Sequence, residues 1–76
     1  MRDFETMMLA IYNETVEKSL PFVKDDLIMG LLQADLDAMG MLFSALHQRG
    51  FVGSSPMGTL ALSADGIWYV ESRLRG

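Results

Sequence analysis

The side chains in this sequence that could carry out chemistry are few, and none has the company that catalysis requires. A general base needs a partner within hydrogen-bond reach, yet the one histidine, His47, is flanked by Leu46 and Gln48 and is expected on the solvated side of a helix. Asp25 and Asp26 are paired carboxylates, but acids at the start of a helix are equally well explained by its dipole. "ADLD" at 34–37 resembles part of a calcium loop and lacks the remaining oxygen ligands and the closing glutamate. Ser54 and Ser55 have neither a base nor a nucleophile elbow beside them. There is no glycine-rich phosphate loop. With no cysteine, disulfides and thiolate metal sites are excluded, and a single histidine argues against an imidazole metal site. The expectation is a protein that is not an enzyme and takes neither cofactor nor metal.

Length and charge narrow the field further. Residues 1–76 make a single domain, and a chain this short buries only about 60% of its unfolded surface. Small folds gain stability from disulfides, metals or partners, and here only a partner is left, a second copy of the chain included. The apolar fraction of 50% excludes disorder. Ten acids against six bases give a net charge of −4, which repels phosphate backbones and anionic membranes. The bases are Arg2, Lys18, Lys24, Arg49, Arg73 and Arg75, and only the last two lie close together in sequence. The longest apolar run, "LIMGLL" at 27–32, is far short of a membrane span, and acids interrupt the N-terminal apolar stretch. A cytoplasmic protein without a membrane partner is expected.

The positioning elements follow from apolar spacing. Residues 3–18 predict an amphipathic helix with Phe4, Met8, Ile11 and Thr15 inward and Met7, Tyr12 and Val16 beside them, stopped before Pro21. "KDDLIMGLL" predicts a second helix burying Leu27, Ile28, Leu31 and Leu32. After the short linker "QAD", a third runs from about Asp35 to Arg49 with Leu36, Met39, Phe43 and Leu46 as its core stripe and Leu42 beside it. Asp35 suits its N-cap, and Gly50 its left-handed stop. The period then changes to two: "FVGSS" and "GTLALS" around "PMG" predict an antiparallel hairpin with Leu60 and Leu62 inward and Thr59 and Ala61 outward. Ser63 caps a last helix, "ADGIWYVESRLR", whose buried side is Ile67, Val70 and Leu74.

The resulting class is α+β, mostly α: three helices, two strands and a C-terminal helix. This order, together with "LHQRGFV" at 46–52 and "LALSADG" at 60–66, resembles the winged-helix superfamily of prokaryotic regulators. There the third helix ends in a leucine, polar residues, glycine and two apolars that begin the wing. The wing's return strand reads leucine-threonine-x-x-glycine before a final helix; Ser63 stands here for the threonine, and Gly66 for the glycine. The resemblance covers nearly the whole chain and implies a third helix lying in the DNA major groove, with the wing touching phosphates.

The residues at those places argue for something else. Base readout needs donors and acceptors, and affinity needs several basic contacts to phosphate. On the outer face of the third helix only Gln48 and Arg49 could supply them, while Asp35 and Asp37 would point negative charge at the duplex. The wing "GSSPMGT" has no base. As a DNA reader the chain would depend on Ser44, Gln48, Arg49, Ser54 and Ser55. As a protein surface, Ala38, Met41 and Ala45 form a small apolar strip, and Gly40 permits close backbone approach. Most of the seven methionines are expected in the core, with Met41 the exception. Trp68 and Tyr69 either complete the core, the expected outcome for Trp68 in so small a domain, or anchor a dimer. The function expected is an interaction module, self-associating or bound to another protein, with a DNA-binding regulator as the alternative.

Overall fold

A capped helix on which the other helices pack organises the computed structural model, which describes residues 3–75. That helix, α1 (Phe4–Glu14), begins at Asp3, whose carboxylate accepts from both the backbone N–H and the hydroxyl of Thr6 at 2.9 Å. These bonds, the backbone one foremost, hold the Asp3 carboxyl below its ordinary value. Met7, Met8, Ile11 and Tyr12 are buried beneath it. The helix ends at Glu14 rather than near Lys18 because the chain wraps back on itself there. The buried Thr15 hydroxyl donates to the Ile11 carbonyl at 2.7 Å, Leu20 N–H bonds the Thr15 carbonyl, and Ser19 takes a left-handed φ of 56°.

A strand the sequence period did not reveal follows, β1 (Val23–Lys24), and it leads directly into α2 (Asp25–Leu32). Two residues are too few to display a period. In α2 only Ile28 and Leu32 are buried, whereas Leu27 and Leu31 face outward, contrary to expectation. Gln33 then turns the chain in the left-handed region, and the axis of α3 (Leu36–Gln48) is bent 107° from that of α2. Asp35 caps α3 as expected, accepting from Ala38 N–H at 2.8 Å. Met39, Leu42 and Leu46 meet the core, but Leu36 and Phe43 do not. Residues 39, 42 and 46 span one narrow arc of the helix, and 36 and 43 lie at its edge, where nothing covers them.

The hairpin after α3 forms only at its base. Val52 bridges Leu62, with Gly53 N–H bonded to the Ala61 carbonyl and Ser63 N–H to that of Phe51. Further along, β2 (Thr59–Leu60) pairs not with residues 53–55 but with β1, antiparallel, in the register Val23 to Leu60 and Lys24 to Thr59. The two-stranded sheet is therefore β1 with β2, and the expected wing hairpin is corrected to a bridged loop. β1 lies along the edge of the 59–62 segment opposite to the one that residues 51–53 bond; Val23 is apolar and buried there, whereas on the hairpin side Gly53, Ser54 and Ser55 bring no large side chain to extend the pairing. Leu60 and Leu62 are buried as expected, and so is Ala61, which was expected outward.

Ser63 accepts from Gly66 N–H at 3.1 Å and donates to the Gly50 carbonyl at 2.6 Å, so one hydroxyl both caps α4 (Ala64–Tyr69) and fastens it to the end of α3. Gly50 has a left-handed φ of 73°. A Cβ on Gly66 would lie 2.5 Å from the Phe51 carbonyl oxygen, which accounts for glycine at that close approach. From Val70 to Leu74 the last helix widens to π winding. Val70 is fully buried, and Ile67 and Leu74 pack partly against the core. Two phenols join this terminal helix to α1: Tyr12 donates to Glu71 at 2.7 Å and Tyr69 to Glu5 at 2.6 Å. Trp68 is not part of the core. It is 59% exposed, which corrects the expectation that so small a domain would need its area inside.

Candidate functional site

Three of α3's residues hold it on the core, so the opposite side of the same helix is presented to solvent. That side forms an open depression lined by Leu36, Asp37, Gly40, Met41, Ser44, Ala45 and Gln48. Met41 is 62% exposed and Leu36 77%. These positions recur every three to four residues, so they form one strip along the helix. Its charge is limited to Asp37 near the N-terminal end. Ala38 and Ala45 are half-buried at the margin of the strip. Leu36 is the contributor that sequence reasoning assigned to the core. Its place immediately after the cap, where a helix end projects past its neighbours, was the available signal.

Gly40 has no internal explanation. A Cβ built there meets nothing within 4 Å, and its φ is not left-handed. Glycine in a helix interior costs roughly 1 kcal/mol relative to alanine. Gly30 is similarly open, but it lies in the last turn of α2, where propensity counts for less.

Beside Gly40, on the flank facing α2, a cleft of about 310 Å³ is lined by Met7, Met29, Met39, Phe43 and Leu60, with Asp25 as its charged residue. Leu36 and Gly40 border both concavities, making the apolar surface continuous across α3. Met7 and Met39 are core residues and Met29 packs against the core, as expected. Met41 is exposed as expected, and Met57, at the tip of the bridged loop, is a second exposed methionine.

The residues that would read DNA are not gathered together. Ser44 and Gln48 lie on the outward strip. Arg49 turns away from it, donating to the Ala45 carbonyl at 2.9 Å with its guanidinium 4.3 Å above the Phe4 ring. Ser55 donates to the Thr59 carbonyl at 3.2 Å, and Ser54 is exposed in the same loop. Elsewhere Lys18 pairs with Glu14 at 2.8 Å, and Arg75 pairs with Glu17 at 3.2 Å while stacking over Tyr12. Lys24 and Arg73 have no ion-pair partner among the described residues, and Arg2 lies outside them. His47 is exposed and stacks on Phe43, with centroids 6.1 Å apart.

The two aromatic candidates part company. Tyr69 is half-buried, its ring against Phe51 at 4.9 Å and its hydroxyl on Glu5. Trp68, its neighbour in sequence, is exposed and does not line the α3 strip. Among the described residues, no cluster of histidines and acids is arranged to hold a metal ion, and no single helix is long and apolar enough to cross a membrane. No family model, characterised protein or solved structure matches the chain.

Proposed function

We propose that this chain is a winged-helix interaction module that self-associates through the outward strip of α3. The observation that carries the reading is the exposure of Met41 and Leu36 on the face where a DNA reader would present bases. Burying these two side chains and the bare backbone at Gly40 gives association a hydrophobic driving force, and no unpaired base on the strip opposes it. The winged-helix part of the reading is supported by the 107° bend between α2 and α3, which lies in the range of helix-turn-helix pairs, and by the strand, bridged loop and final helix that surround it.

The same bend favours a second reading, a DNA-binding regulator, because helix-turn-helix pairs cross at such angles when the second helix enters a major groove. One pair of measurements separates the two. Sedimentation across a concentration series is expected to give a dimer that Met41→Glu shifts to monomer. Titration with random-sequence duplex at low salt, where the electrostatic contribution is greatest, is expected to give no binding. Binding that weakens steeply with added salt would instead support the regulator. A monomer at all concentrations would remove self-association.

A further inference from the structure

Going beyond that reading, we infer that the cleft between α2, α3 and β2 binds a small organic cation, an ammonium group carried on an apolar body about one ring in size. The cleft lies on the α2 flank of α3. Its volume of about 310 Å³ falls near the lower end of the range for small-molecule pockets, roughly 300–1,000 Å³. The buried Met7, Met39 and Leu60 form its floor, and the partly covered Met29 and Phe43 its sides. Gly40 leaves it open at the edge of α3, since nothing fills the space where a side chain would stand.

The polar side chains of the cleft, Asp25 and Thr59, can only accept hydrogen bonds. Asp25 is half-buried in the first turn of α2, and its carboxylate caps no backbone N–H, unlike those of Asp3 and Asp35. It has no ion-pair partner among the described residues, and the exposed Asp26 beside it also meets the helix dipole. The Thr59 hydroxyl donates to the Pro56 carbonyl, which commits its hydrogen and leaves its oxygen as an acceptor. The sheet brings the two groups together: Lys24 stands opposite Thr59, and the Asp25 N–H bonds the Gly58 carbonyl at 3.0 Å. Acceptors without a donor suit an ammonium, whose N–H groups make charge-assisted bonds to a carboxylate. The thioethers and the Phe43 ring give the apolar body a soft wall that also tolerates positive charge. An anion of the same shape finds no side-chain donor there and is repelled by Asp25.

The methionine methyl groups report binding directly by nuclear magnetic resonance. In the full chain, isotopically labelled at those methyls, phenethylammonium is expected to shift the Met7, Met29 and Met39 signals saturably. The signal of Met57, exposed at the tip of the bridged loop, is expected to stay in place. Hydrocinnamate, the anionic counterpart of the same size, is expected to leave all four unmoved. Absence of a saturable shift at the three cleft methyls would overturn the site. An equal response to the ammonium and the carboxylate would overturn its assignment to a cation.

Two substitutions in the same turn of α2 test the acceptor. Asp25→Asn removes the carboxylate from the cleft and is expected to weaken phenethylammonium binding severalfold. Asp26→Asn removes the same charge outside the cleft and is expected to leave the affinity unchanged. Equal affinities in the two variants would overturn the role of Asp25. The comparison of the two ligands on the unsubstituted chain decides the proposal even where Asp25→Asn perturbs the fold, and neither readout depends on whether the chain self-associates.

Discussion

Gly40 and Gly66 are both helical glycines, and the space around each gives them opposite reasons for being there. At Gly66 the Phe51 carbonyl and the Leu62 Cβ occupy the space a side chain would need, whereas at Gly40 that space is empty. Gly66→Ala therefore forces α4 away from the loop after α3, and a loss of about 1–3 kcal/mol in unfolding free energy is expected from urea titration. Gly40→Ala meets no obstacle and gains helix propensity. In urea titrations at concentrations low enough to hold the chain monomeric, it is expected to stabilise by up to about 1 kcal/mol. The same substitution is expected to weaken self-association. A change stabilising the fold while weakening the assembly separates the two uses of glycine. Sequence reasoning gave Gly40 a close-approach role and matched Gly66 only to a motif, and the surroundings alone show which glycine is needed within the chain.

Between elements, single hydroxyls carry much of the connection. Ser63 caps α4 and also donates to the Gly50 carbonyl at the end of α3. Ser63→Ala is expected to cost roughly 1–2 kcal/mol, near the upper end for loss of an N-cap because a second bond goes with it. Thermal melts followed by circular dichroism would measure it. A lesser loss is expected from Asp35→Ala, where a lone cap to Ala38 N–H is removed. Both caps were legible in the sequence, because a serine or aspartate ahead of an apolar period is a local signal. The β1–β2 pairing was not. It depends on a distant segment bringing the apolar Val23 to the edge of β2 that the hairpin leaves open, which no local pattern announces.

For the molecule as a whole, α1 is the element that α2, α3 and the terminal helix share, and two phenol–carboxylate bonds add to the apolar packing that holds the last. The hydrogen bond to Glu71 raises Tyr12 above its ordinary value of 10.0, and the bond to Glu5 does the same for Tyr69. A phenol whose pKa is raised on folding stabilises the native state fully below its unfolded value, and that contribution is lost as pH rises through the folded value. Unfolding titrations are therefore expected to show a stability loss above about pH 10, reduced in the Tyr12→Phe, Tyr69→Phe double variant. What the sequence determined by itself was the set of helices, the caps at Asp35 and Ser63, the stop at Gly50 and the exposure of Met41. Each of these follows from local periodicity or from the chemistry of one residue and its near neighbours. Tertiary structure alone decided that Leu36 and Phe43 lie outside the core, that Trp68 is exposed, and that β1 rather than the 53–55 segment pairs with β2. Those outcomes depend on which side of each element another element covers. A helix period identifies an apolar stripe, but how much of its width is buried is determined by the neighbour that packs on it.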